Sequence, residues 1–99
     1  MPVHLVIITY LADLDVIDAA IAEHGAWLDQ NYADGVFLAS GRQEPRTGGV
    51  ILADGLTLEG LNERLALDPF QQQGLAESRI ITFTPSKAAP GLERLLPTA

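Results

Sequence analysis

The chain has 99 residues, of which 47% are apolar and 19% charged, and its formal net charge at pH 7 is -7. We therefore expect residues 1–99 to form a single domain, and so large an apolar fraction in so short a chain is a first indication of self-association. The acidic balance argues against nucleic-acid and anionic-membrane partners, because both are bound through clusters of Lys and Arg. The absence of cysteine excludes disulfides, thiolate catalysis and cysteine-ligated metals.

The N-terminal residues do not have the sequence features of a targeting segment. The chain begins Met1-Pro2-Val3-His4, without the basic stretch that opens a secretory signal. Its longest apolar run is far too short to cross a bilayer. We therefore expect a cytoplasmic protein that has no membrane partner.

Runs of β-branched and aromatic residues predict four strands, and apolar residues at spacings of three and four predict the helices. In chain order the predicted elements are a strand at 2–10, a helix at 13–34, strands at 36–43 and 50–53, a helix that Thr57 caps, a short helical turn at 68–74 and a strand at 78–84. The main elements follow the order β-α-β-β-α-β. This order predicts an α+β, ferredoxin-like fold, in which a four-stranded antiparallel sheet has both helices on one face.

The first predicted strand is apolar on both of its faces. One face carries Val3, Leu5 and Ile7, and the other carries Val6, Ile8 and Tyr10. The helices of the same chain can cover only one of these faces, so the other needs a further layer. We therefore expect a homodimer in which two sheets pack face to face as a dimeric α/β barrel.

His24 is the most informative residue of the predicted first helix. It shares one helical face with Ile17, Ile21, Leu28 and Asn31, where an apolar side chain would be usual. Burial of an imidazole is costly unless the ring is hydrogen-bonded. A partner for His24 is therefore expected elsewhere in the chain.

Asp68 is the candidate partner, and it also fits the cap of a helix. Asp before Pro69 is a favourable start, and Gln71 three residues on completes a capping-box pattern. A carboxylate can accept from a backbone amide and from an imidazole at the same time. A His24–Asp68 pair would fix the imidazole tautomer and leave one ring nitrogen to exchange protons near neutral pH. A purely structural pair is the alternative that the sequence leaves open.

Three further residues are candidates for a pocket beside this pair: Ser40, Gly41 and Phe70. Gly41 permits a ligand to approach the backbone closely, or it marks a bulge. Ser40 lacks the neighbours of a catalytic nucleophile, so a hydrolytic triad is not expected. Arg42 and Arg79 are candidates for binding a substrate carboxylate, and a surface ion pair is the alternative for each.

The chain contains an ordered set of features: an apolar strand at 4–10, His24-x-x-x-Leu28, Gly35, Ser40-Gly41, Gly-Gly-Val-Ile at 48–51, and Asp68-Pro69-Phe70. With this set the chain resembles the YCII-related family of small dimeric α/β-barrel proteins. The resemblance implies a ferredoxin-like fold that dimerises through its sheets, and a site in which His24 pairs with Asp68. Some relatives look like dehalogenating enzymes that act on chlorinated muconolactone-type compounds. Many members have an Arg before the histidine, where this chain has Ile21-Ala22-Glu23.

The leading hypothesis is a cofactor-independent enzyme, a lyase, isomerase or dehalogenase-like protein, that acts on a small cyclic organic molecule. His24 would be the general base and acid, Asp68 would orient it, and Ser40, Gly41 and Phe70 would line the pocket. No metal is expected, because the chain has only two histidines and they form no ligand pair. The alternatives are a non-catalytic small-molecule-binding or accessory protein and a cofactorless oxygenase.

Overall fold

Four strands, four helices and one short 3-10 helix lie within residues 2–97, the part of the chain that the computed structural model describes. The strands are β1 (Val3–Tyr10), β2 (Phe37–Arg42), β3 (Gly48–Ala53) and β4 (Ala76–Phe83). The helices are α1 (Leu14–Ala19), α2 (Ile21–Ala33), α3 (Leu58–Leu65) and α4 (Pro69–Gln72), and the 3-10 helix is Glu93–Leu95. Within residues 2–97, no helix combines the length and the apolar character that a bilayer span requires.

The strands form one antiparallel sheet in the order β2-β3-β1-β4. The first strand lies at the centre because it pairs with β3 on one side and with β4 on the other. The predicted ferredoxin-like α+β fold, with its β-α-β-β-α-β order, is therefore confirmed. The short capping turn after Asp68 is present as α4.

The predicted helix at 13–34 is divided into α1 and α2 at Ala20. The backbone of Ala20 (φ -104°, ψ 2°) lies outside the helical region, and its amide donates to the Ile17 carbonyl three residues back, at 3.0 Å. His24 is buried, whereas Ile21, directly after the break, is 42% exposed. The prediction of one continuous helix is wrong, because the apolar spacing continues across a break in the backbone.

The helices cover the sheet face that carries Val6, Ile8 and Tyr10. The buried core between the layers comprises Val6, Ile8, Phe37, Ile51 and Ala53 from the strands, and Ile17, Leu61, Leu65 and Phe70 from the helices. Burial of one such large apolar side chain contributes about 1.5–3 kcal/mol relative to exposure. The core therefore decides which of the two apolar faces of β1 is the inner one.

The opposite face of the sheet, here called the open face, has no helix over it. Paired residues of antiparallel strands point the same way, so the register places the following side chains together on it: Leu5, Ile7, Val50, Leu52, Ile81 and Phe83. Ile81 and Phe83 are 41% and 44% exposed. The open face is therefore an apolar surface that is partly accessible to solvent.

The segment that follows β4 lies against one corner of the open face. Leu92 and Leu95 share a hollow with Leu52 of β3. The Arg94 Nε lies 3.8 Å from the Asp54 carboxylate, just beyond the end of β3. This segment therefore covers part of the open face near β2 and β3.

Gly48 belongs to β3, although the sequence pattern predicts a turn at 44–49. It pairs with Thr9 of β1, and this close pairing leaves no room for a side chain. A Cβ atom at Gly48 would lie 1.7 Å from the carbonyl oxygen of Ile8, which is backbone and cannot rotate away. Glycine is therefore required at this position by the approach of two strands.

We expect Gly48→Ala to lower the free energy of unfolding by about 3 kcal/mol, because β1 must shift to admit the methyl group. Gly25→Ala is the matched control, since a Cβ atom in the middle of α2 would meet nothing within 4 Å. That control should raise stability by about 0.5–1 kcal/mol through its helix propensity. Urea unfolding followed by the fluorescence of the single tryptophan measures both, and equal stability of the two variants would contradict the strand register.

Candidate functional site

The structure brings His24 and Asp68 together in the interior. His24 lies near the start of α2, Asp68 precedes α4, and the His24 Nδ1 is 2.7 Å from the Asp68 Oδ1. Both residues are buried, with 8% and 3% of their surface exposed. An ionised carboxylate can only accept, so Nδ1 carries the hydrogen and donates it. The neutral ring is therefore held in the tautomer whose Nε2 has a free lone pair.

Asp68 also caps α4, as its sequence predicts. Its Oδ1 accepts from the Phe70 backbone N–H at 3.0 Å, so one oxygen accepts both hydrogen bonds. The predicted capping box with Gln71 is not formed. The Asp68 N–H donates to the Leu65 carbonyl at 3.1 Å, and the Gln71 Oε1 accepts from the Ser78 hydroxyl at 3.2 Å. Both groups that a capping box would join already have other partners.

Aromatic side chains hold the imidazole plane in place. The Phe70 ring is stacked on it, with a centroid distance of 4.0 Å and an interplanar angle of 6°. The Trp27 ring lies 5.6 Å from it by centroids. Phe70 is itself buried, and the Tyr10 ring contacts it in an edge arrangement. Rotation of the imidazole is therefore blocked by packing as well as by the bond to Asp68.

A cavity of about 170 Å³ lies between α2 and the inner face of the sheet. The residues that line it are Ile8, Tyr10, Ile21, His24, Leu28, Ser40, Gly41, Arg42, Gly49, Val50 and Ile51. Ser40 and Gly41 thus lie where the sequence predicts pocket residues. Phe70 is not among the lining residues; it lies against the imidazole, because the cap at Asp68 directs α4 into the core.

His24 lines this cavity, and its Nε2 is the ring nitrogen that Asp68 does not use. It has no hydrogen-bond partner among residues 2–97. Among the described residues, no fully buried side-chain nitrogen or oxygen lacks a hydrogen-bond partner. Because Nε2 does lack one, this atom is not fully buried. A bound molecule can therefore exchange a proton with this nitrogen.

Two polar side chains on β2 face the same cavity. Ser40 and Arg42 lie two residues apart and pair with Ile51 and Gly49, so both point toward the helices. The Ser40 and Tyr32 hydroxyl oxygens are 2.6 Å apart. From the sequence, Arg42 is a candidate either for binding a substrate carboxylate or for a surface ion pair. Alternation along β2, combined with the strand register, is the signal that places Arg42 in the wall of the cavity.

Two ion pairs of the described residues are not part of the lining of this cavity. The Arg46 guanidinium, in the β2–β3 turn, donates to Asp18 of α1 and lowers the pKa of that carboxyl, and Asp18 in turn raises the pKa of Arg46. The Arg64 guanidinium donates to the Asp34 carboxylate at 2.8 Å and lowers the pKa of Asp34. Both arginines are therefore committed to carboxylates of this chain.

The second histidine is part of the structural framework. The His4 Nε2 donates to the Leu56 carbonyl at 2.8 Å, and its Nδ1 lies 2.9 Å from the Thr82 hydroxyl. Both ring nitrogens of His4 are thus occupied. Within the described residues, no three side chains of His, Cys, Asp or Glu come together as a metal site.

A family model, described as the YCII-related domain, matches residues 1–84. This protein belongs to the YCII-related family. The match covers all four strands and the His24–Asp68 pair, and it ends just after β4. Among curated proteins, none matches this chain significantly.

Two solved structures share the fold of this YCII-related domain. One is TftG, a 5-chloro-2-hydroxyhydroquinone dehydrochlorinase from Burkholderia phenoliruptrix AC1100 in complex with 2,5-dihydroxybenzoquinone, with a TM-score of 0.69 and 18% identity over 80% of this chain and 90% of that one. The other is SnoaB, a cofactor-independent oxygenase from Streptomyces nogalater, with a TM-score of 0.50 and 16% identity over 90% of this chain and 97% of that one. At these identities the similarity establishes the fold alone.

We expect Asp68→Ala in the YCII-related domain to lower the free energy of unfolding by about 2–4 kcal/mol, because it removes the α4 cap and leaves a buried imidazole N–H without an acceptor. Asp68→Asn retains an oxygen that can accept both hydrogen bonds, so its loss should be about 1 kcal/mol or less. Urea unfolding compares the two variants. Equal losses would mean that the Oδ1 contacts contribute little to stability.

Proposed function

We propose that this protein catalyses proton transfer on a small ring compound. It acts in this proposal as a cofactor-independent lyase or isomerase, and a dehalogenase-like elimination is one of the reactions proposed. The observation that carries the proposal is the state of His24. Its Nδ1 donates to a buried carboxylate, its Nε2 has no hydrogen-bond partner among the described residues, and the residue lines a cavity. A base held in one tautomer at a ligand-sized space is the arrangement that general acid/base catalysis requires.

In the proposed reaction, the Nε2 lone pair of His24 removes a proton from a hydroxyl group or a carbon of a ring in its non-aromatic form. The electron pair of the broken O–H or C–H bond forms a new C=O or C=C bond. In an elimination, a leaving group departs as an anion with its own bonding pair, either from the adjacent carbon or from a carbon that the shifted pair of a ring double bond reaches. In an isomerisation, the shifted pair of a neighbouring double bond takes the proton back from the imidazolium at a different atom. Asp68 stabilises the positive imidazolium while it exists, and Phe70 keeps the ring plane fixed.

The size and lining of the cavity support a substrate with a single ring. A cavity of about 150 Å³ lined by apolar side chains holds one benzene molecule, and the cavity beside His24 measures about 170 Å³. Most of its lining side chains are aliphatic, among them Ile8, Leu28 and Ile51. Ser40 supplies a hydroxyl group, and Gly41 exposes backbone, for contacts with substrate oxygens. The activity of TftG, a dehydrochlorinase, supports elimination as the reaction class.

We expect the protein to release chloride from 5-chloro-2-hydroxyhydroquinone, the compound for which the dehydrochlorinase TftG is named. His24→Gln should reduce that rate by at least about 100-fold, because the proton acceptor is lost. Asp68→Asn should reduce the rate less than His24→Gln does, because the imidazole of His24 is still present. Chloride release measures the rate, and thermal unfolding of each variant checks that the fold is retained. Chloride release by folded His24→Gln at the wild-type rate would refute His24 as the base.

A non-catalytic role is the second candidate, and the double use of Asp68 favours it. The same Oδ1 caps α4 and anchors the imidazole, so the pair has a structural function without any reaction. A protein that binds ring compounds beside His24 but converts none of them would support a binding or accessory role. A turnover that depends on dissolved oxygen would instead support a cofactorless oxygenase.

A second copy of this chain is the partner that we propose for the open face. This face is apolar in the middle and carries both Glu77 and Arg79 on β4, which suits an interface that pairs with itself. Ile81 and Phe83 remain more than two-fifths exposed in a single chain. Packing of two open faces would remove these side chains from water.

We expect light scattering to give twice the chain mass of 10.6 kDa. Joint replacement Ile81→Glu and Phe83→Glu should give the single-chain mass, because charges would be buried at the interface. The matched control is Leu58→Glu with Leu67→Glu, which adds the same charge at exposed apolar positions in and after α3. A single-chain mass for the wild type at micromolar concentration would refute the dimer, as would dissociation by the control.

A further inference from the structure

The cavity beside His24 has one charged residue in its wall besides the titratable imidazole. Of the six Lys and Arg residues, all within the described part of the chain, only Arg42 lines it. Three of the others lie beside carboxylates, in the pairs Arg46–Asp18, Arg64–Asp34 and Arg94–Asp54. Arg79 points to the open face, on the other side of the sheet, and Lys87 lies beyond β4.

The strand register directs Arg42 toward the cavity. Arg42 pairs with Gly49, and Gly49 pairs in turn with Ile8, whose side chain is in the core. The three residues therefore share the inner face of the sheet. Because Gly49 has no side chain, it places no side chain between Arg42 and the cavity.

The guanidinium of Arg42 is only weakly held by its own chain. Its Nε lies 3.6 Å from the Glu44 carboxylate, and the two side chains are 68% and 80% exposed. An ion pair between such exposed groups contributes little, since water screens the charges and both side chains are mobile. Arg42 can therefore exchange Glu44 for another carboxylate at low cost.

We propose that Arg42 makes this site bind a ring compound that carries a carboxylate more tightly than an uncharged ring of the same shape; this inference rests on the proposed function of His24. The planar guanidinium matches a carboxylate with two parallel hydrogen bonds. His24 belongs to the helix wall of the cavity and Arg42 to the sheet wall. A substrate that lies between them can therefore place its ring carbons beside His24 and its carboxylate beside Arg42. No acidic side chain of the described residues lines the cavity.

The overall charge of the protein makes a local cation necessary for such a substrate. With a formal net charge of -7, the surface as a whole repels an anion. Arg42 reverses this effect at the cavity, and its action should weaken as salt is added. Arg42 supplies this positive charge from the sheet wall, whereas His24 belongs to the helix wall.

Benzoate and benzamide are the probes that test the inference, because they share one ring and nearly one shape but only benzoate is charged. Binding is followed by the NMR signals of the imidazole of His24, which His24→Gln identifies since the chain has only two histidines. We expect benzoate to bind about tenfold more tightly than benzamide, as a charge-assisted pair of hydrogen bonds implies.

Three variants assign that preference to one residue. Arg42→Gln should abolish the preference for benzoate, and Arg42→Lys should retain part of it. Lys87→Gln is the matched control, because it makes the same change in net charge at an exposed position beyond β4 and should keep the full preference. A preference that survives in Arg42→Gln, or that is lost equally in Lys87→Gln, would overturn the inference.

The outcomes also separate this inference from the function on which it rests. Equal binding of the two probes beside His24 would overturn the role of Arg42 and leave the base and its cavity intact. Failure of both probes to change the His24 signals would count against a ring-binding cavity, and so against the proposed function and the inference together.

Discussion

The hydrogen bond between His24 and Asp68 is the interaction on which the rest of the site depends. It joins α2 to the start of α4 across the interior, and a single carboxylate oxygen accepts from both the imidazole and the α4 backbone. The same cap directs Phe70 under the imidazole. One group therefore sets the tautomer, the ring plane and the position of a helix. Because a buried imidazole without an acceptor would be costly, stability and the proposed chemistry are coupled through Asp68.

The two faces of the central strand separate the site from the proposed interface. The inner face of β1 contributes to the core and to the wall of the cavity, and its other face belongs to the open face. Self-association through the open face would leave α2 and His24 on the outer side of each sheet. The cavity and the proposed dimer interface therefore lie on opposite sides of one sheet.

Local patterns predicted most of the fold, because each strand and helix has a clear periodicity of its own. The element order was sufficient for the ferredoxin-like topology, and the Asp68-Pro69 pair was sufficient for the α4 cap. The break at Ala20 was not predicted, because the spacing of apolar residues does not show where the backbone of a helix is interrupted. Gly48 was assigned to a turn because the need for glycine there arises from contact with Ile8, forty residues away in the chain.

The partners within the site depended more on packing than on pattern. The pairing of His24 with Asp68 was anticipated from the cost of a buried imidazole and from family resemblance. The position of Phe70 was not, because the direction of a side chain in a four-residue helix follows from how its cap is anchored. Arg42 and Arg79 were equivalent candidates in the sequence, and the structure places them on opposite faces of the sheet.

The amino-acid sequence by itself determined the order of strands and helices, the presence of an imidazole on an otherwise mostly apolar stripe, and the apolar character of both faces of β1. Only the tertiary structure decided which of those faces the helices cover, and therefore which arginine reaches the cavity. The reason is that side chains alternate along a strand with a period of two, and the two faces remain equivalent until pairing and helix packing distinguish them.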